Sequence, residues 1–104
     1  MSAVAAEKLY TEIGLSLKNS EQSQMFGKPC FKIGGKAFVC FFESCMVFKL
    51  TGDTHKEALA LKGSVLFDPS GKGRAMKEWI QVPYSSKTKW AGYAEVALKY
   101  VNGK

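Results

Sequence analysis

Arginine, histidine and long apolar runs are nearly missing from this sequence. Of its 15 basic residues only Arg74 is arginine, the rest being lysine. Tight reading of guanine edges relies on the planar, two-pronged guanidinium, so this scarcity argues against sequence-specific DNA recognition and leaves loose phosphate attraction open. The one histidine, His55, has no second base or nucleophile spaced to work with it, and is read as a solvated surface residue. The longest apolar runs, such as Ala37 to Phe42, fall far short of the roughly 20 residues that cross a bilayer, which excludes a helical membrane span. Cys30, Cys40 and Cys45 contain no C-x-x-C pair and have only His55 as a further soft ligand, so neither a zinc site nor any other cofactor is expected. The N-terminal residues turn charged at Glu7-Lys8 without the basic start and long apolar centre of a signal peptide. A cytoplasmic location is the expectation.

What the sequence does have is a globular balance, 46% hydrophobic and 23% charged over 104 residues, enough for one core and too short for two. A single domain spanning residues 1–104 is expected. The net charge of +6 biases the protein towards anionic partners.

Taken in order, Ala6, Leu9, Tyr10, Ile13 and Leu17 make one helical stripe over Ser2 to Lys18, with Gly14 suited to close packing on a sheet. The polar stretch Lys18 to Gln24 reads as a loop or short turn. Three antiparallel strands follow between Met25 and Leu50. Pro29, which cannot donate a ladder hydrogen bond, favours an edge position or an irregular start, and Gly34-Gly35 suits a two-residue hairpin turn. The middle strand alternates Phe38, Cys40 and Phe42 on one face with Ala37, Val39 and Phe41 on the other, so both faces are apolar. The cysteines read as buried strand fillers, with Cys40 and Cys45 opposed across the Glu43-Ser44 turn. Thr54 to Glu57 has the form of a capping box opening a short helix to Leu61. Ser64 to Asp68 and Met76 to Val82 are two further strands. Trp90, Tyr93, Ala94, Ala97, Leu98 and Val101 form the most regular stripe, on a last helix from Ser85 to Val101. The order α-β-β-β-α-β-β-α predicts an α+β domain, helices packed on an antiparallel sheet in two layers.

Two groups of residues carry functional expectations. The glycines of Gly71-Lys72-Gly73-Arg74 can turn backbone amides towards one point, where Lys72, Arg74 and Lys77 would contact an anion or nucleic acid. The alternative is a plain hairpin loop with solvated lysines, since the pattern lacks the P-loop spacing. The second group is Ala37, Val39 and Phe41, a candidate interface if the second face of the middle strand is left uncovered.

The ordered set Met25-Phe26-Gly27, Gly35-Lys36-Ala37-Phe38, Gly71-Lys72-Gly73-Arg74-Ala75-Met76 and Val82-Pro83 resembles the TfoX N-terminal domain family, named for the regulator of natural competence in bacteria. The likeness spans nearly the whole chain. It implies a two-layer α+β domain of the secretion-chaperone-like type and a role without catalysis, in regulating transcription through contacts with other macromolecules. It transfers no catalytic residues. The expected partner is therefore a protein or a second copy of the chain. The alternative is weak, sequence-independent nucleic-acid binding through Lys28, Lys32, Lys36 and the Lys72 to Lys77 segment. No membrane partner is expected.

Overall fold

The Gly34-Gly35 hairpin is the local event from which the sheet is built. In the computed structural model, which describes residues 3–25, 27–68 and 76–102, both glycines have positive φ (57° and 80°). Those angles turn the chain tightly between β2 (Lys28–Ile33) and β3 (Lys36–Phe42). A second such turn at Glu43-Ser44 leads to β4 (Cys45–Lys49). Its φ values are also positive (48° and 65°), although neither residue is glycine. After α2 (Gly52–Ala60), β5 (Val65–Phe67) and β6 (Met76–Val82) complete the sheet. Six strands run in the order β1-β2-β3-β4-β6-β5, every neighbouring pair antiparallel.

The sixth strand is a correction to the sequence expectation. Residues Glu21–Met25, all but the last inside the polar stretch expected to be a loop, form the edge strand β1 paired with β2. Glu21 to Gln24 are exposed, so the strand has no apolar alternation to betray it; backbone hydrogen bonds to β2 hold it instead. Strand β2 is thereby interior. Pro29, its second residue, is opposed by Gln24 of β1, and the pairing with β3 begins only at Cys30. The missing N–H thus falls at an irregular start, where no second ladder needs it.

Among the described residues, helices cover one face of the sheet. Ala6, Tyr10 and Ile13 of α1 (Ala3–Ser16), Ala58 of α2, and Trp90, Tyr93, Ala94, Ala97 and Val101 of α3 (Trp90–Asn102) share one core with strand residues such as Phe31, Phe48 and Ile80. The stripes read from the sequence are the buried ones. Helix α1 lies so close on β2 that a Cβ on Gly14 would collide with the Phe31 ring, which is why glycine stands mid-helix there despite its cost of about 1 kcal/mol. The last helix is not continuous from Ser85: a 3₁₀ segment, Tyr84–Lys89, precedes it and is kinked at Ser86, with the Tyr84 ring edge-on to Trp90. The expected capping box is also displaced. Helix α2 is entered one turn earlier, through Thr51, with no side-chain cap, and the Glu57 carboxylate instead accepts a 2.7 Å hydrogen bond from the Tyr93 hydroxyl of α3.

The result is the expected two-layer α+β architecture, three helices on an antiparallel sheet. Among the described residues no helix is long and apolar enough to cross a membrane.

Candidate functional site

The face of the sheet opposite the helices is where the unassigned chemistry collects. Which residues reach it is decided by a bulge in β3. Phe31 opposes Val39, but Lys32 opposes Ala37, so Phe38 is the extra residue. The bulge moves Phe38 to the helix side beside Val39 and Phe41, and leaves Ala37, Cys40 and Phe42 on the opposite side. The strict alternation expected along β3 is corrected accordingly.

The candidate interface changes with it. Val39 and Phe41 are 0% and 9% exposed beneath the helical layer, where the Tyr10 ring packs 5.3 Å from Phe41; neither is available to a partner. Only Ala37 of that trio belongs to the helix-free side.

That side is nonetheless dry at its centre. Cys30, Cys40, Val47, Phe67 and Trp79 form a second buried cluster made only of strand residues, with Ala37 and Phe42 packed against it. Strands β3 and β5 are three places apart in the sheet, about 14 Å if it were flat. Yet the rings of Phe42 (β3) and Phe67 (β5) meet edge to face at 5.3 Å. Twist accumulated over successive strands brings these diagonal corners together. The aromatic pair arches over Cys40 and Val47, both fully buried.

Lysines sit on this arch. The Lys28 ammonium lies 5.1 Å from the centre of the Phe42 ring and that of Lys49 6.0 Å from Trp79, contacts that attract a cation to an aromatic face. Lys32 shares the side of Cys30 by strand alternation, and Lys77 that of Trp79. Among the described residues, the strand carboxylate placed against them in register is Glu21, opposite Lys32. Glu78 reaches Lys49 at 3.9 Å from the helix side while accepting a hydrogen bond from the Tyr100 hydroxyl. The helical segments are balanced, with Lys8, Lys56, Lys87, Lys89 and Lys99 against Glu7, Glu12, Asp53, Glu57 and Glu95. The positive excess therefore belongs to the sheet and its loops.

Beneath the lysines are thiols of low reactivity. Burial pushes the Cys40 thiol up to about 12 and raises Cys30 as well, the Lys32 charge and the Ser23 hydroxyl pulling Cys30 part of the way back. The opposed pair is Cys30 and Cys40; Cys40 stands against Val47, and Cys45 against Phe42. The expected facing of Cys40 and Cys45 is thus replaced by the true register. Half-buried Cys45 is also raised, chiefly by burial, and accepts a 3.6 Å hydrogen bond from the Gln81 amide.

Of the anion-contact trio, Lys72 and Arg74 lie outside the described residues. Lys77 is exposed at the start of β6, and its carbonyl accepts a 2.7 Å hydrogen bond from His55 Nε2. His55 is thus half-buried and ties α2 to the sheet, where a solvated surface residue was expected. Among the described residues no group of three or more His, Cys, Asp or Glu side chains is gathered to hold a metal. Concavities among the described residues lie along the helices. One of about 330 Å³, between α2 and α3, has its Glu57 and Tyr93 satisfied by each other. Lys49 and Trp79 entered no expectation of a shared surface. Their signal was present as matching positions in two strands, but it becomes legible only once β4 is known to pair with β6.

No protein-family model matches the chain, and comparison with the curated proteins finds no match.

Proposed function

We propose that this protein is a non-enzymatic regulatory domain that acts by binding a macromolecular partner on the helix-free face of its sheet. The observation that carries the reading is the asymmetry of the two faces. One is packed beneath the helices, while the other, among the described residues, is closed by its own strand side chains and displays Lys28, Lys32, Lys49 and Lys77. A sheet face left without a second layer, and charged with one sign, is the form expected of a docking surface. The resemblance to the N-terminal domains of competence co-activators supports a role in transcription regulation, and suits a domain that works by contact.

The test is genetic complementation with an expression readout. Removing the protein from its cell should alter a defined set of transcripts. The natural chain should restore them, and the folded variant Lys32→Glu/Lys77→Glu should not. Full restoration by that variant, or an unchanged expression profile on removal, would overturn the reading.

A further inference from the structure

We infer that the partner bound on the helix-free face is duplex nucleic acid, held through its phosphates without regard to sequence. This rests on the regulatory reading above and names the partner of the same face. Four features decide the class of partner.

The first is charge. Among the described residues, the lysines of β2, β4 and β6 meet Glu21 from the strands on their own side, with Glu78 reaching over from the other, Glu43 in the adjoining turn and Asp68 just after β5. A polyanion complements such a surface, and releasing its condensed counterions drives the association. The second is the weakness of any apolar anchor: Val65, 49% exposed opposite Gln81, is a small aliphatic side chain, and neither aromatic ring of the buried strand cluster, Phe67 or Trp79, stands open. Protein interfaces concentrate their energy in aromatic side chains inserted into a partner and are poor in lysine. Here Phe67 and Trp79 are 0% and 6% exposed, with Lys49 over Trp79, while the half-buried Phe42 ring has Lys28 over it. Lysine over sealed aromatics fits a phosphate backbone better than a protein surface. The third is the same burial seen from the nucleic acid's side. Single-strand binders stack bases on open rings; Phe67 and Trp79 are buried, and the half-buried Phe42 ring is occupied by Lys28 and Phe67. A duplex, with bases inside and phosphates outside, asks only for cations. The fourth is the type of cation. Lysine is a point charge without the forked geometry that reads guanine, and none of these strands carries an arginine.

Two of the ammonium groups also have ring partners. Lys28 and Lys49 lie over Phe42 and Trp79, which limits the entropy lost when they engage phosphates.

The inference is tested by titrating the full chain into a labelled mixed-sequence DNA duplex, following anisotropy at several salt concentrations. Four neutralised phosphates give a log–log slope of about −3.6, and duplexes of unrelated sequence should give the same affinity. Lys32→Gln/Lys77→Gln should reduce the slope by about 2 in magnitude. The helix-side control Lys56→Gln/Lys99→Gln should leave it unchanged. Thermal unfolding of each variant establishes that it is folded. Absence of binding at low salt, a slope indifferent to the face substitutions, equal losses from the helix-side control, or tighter binding to a single strand of the same length would each overturn the inference. If the duplex does not bind but Lys32→Glu/Lys77→Glu still fails to restore the transcripts, the nucleic-acid assignment falls and the regulatory reading stands. If the duplex binds as described and that variant restores the transcripts fully, the regulatory reading falls instead.

Discussion

Tyr10 occupies the most demanding position in the core. Its ring is wedged between Phe31 and Phe41, with centroids 5.2 and 5.3 Å away, and its hydroxyl is buried without a hydrogen-bond partner. An unsatisfied buried hydroxyl costs about 1–3 kcal/mol, whereas the ring's packing is favourable. Tyr10→Phe keeps the ring and removes the orphaned group, so it should raise stability by about 1 kcal/mol, seen as a melting temperature higher by about 4 °C or more. A melting point that falls would mean that the hydroxyl is satisfied after all. Gly14 shows the opposite economy: it lowers the intrinsic helicity of α1, and what it gains is the closeness of Phe31. That role was legible in the sequence as a glycine within a clean apolar stripe, but its contact was not.

At the scale of the element, the two tight turns of the meander differ in how well their residues suit them. Gly34-Gly35 adopts positive φ without steric penalty, while Glu43 and Ser44 are held in the same region with a Cβ each, which costs about 1–2 kcal/mol for an ordinary residue. Ser44→Gly relieves part of this and loosens the unfolded chain, two effects of opposite sign. The net expectation is a gain of about 0.5 kcal/mol in urea unfolding, while Gly35→Ala at the matching position should lose at least that much. Strand β1 teaches a related lesson. Its polar sequence Glu21 to Gln24 carries no periodicity because both of its faces meet solvent, so its existence depends on β2 offering a ladder. The bulge at Phe38 likewise has no local signature; it arises from how two apolar faces divide between two cores.

For the molecule as a whole, burial of titratable groups predicts sensitivity to alkali. The Cys40 thiol, ordinarily near 9.0, is pushed up to about 12 by burial, and Tyr10 and Tyr93 are raised too, first by desolvation. Over pH 9–12 the unfolded chain gives up the Cys40 proton that the folded one retains, so stability is full below pH 9 and declines as pH rises through that window. Each such group steepens the decline by up to about 1.4 kcal/mol per pH unit. Urea midpoints at pH 8 and 10 should show the fall, and Cys40→Val, which keeps an apolar filler, should make it shallower; an unchanged slope would mean that Cys40 ionises as freely folded as unfolded. By itself the sequence determined the α+β class, the helical stripes of the first and last helices, most of the strands and the lysine excess. These follow from short-range periodicity and composition, which solvent exposure imprints directly on neighbouring residues. Only the tertiary structure decided that Val39 and Phe41 are core, that Cys30 rather than Cys45 opposes Cys40, and that Lys28, Lys32, Lys49 and Lys77 share one side. Strand order, register and twist are relations between residues distant in the chain, and the twist that joins Phe42 to Phe67 has no counterpart in any single segment.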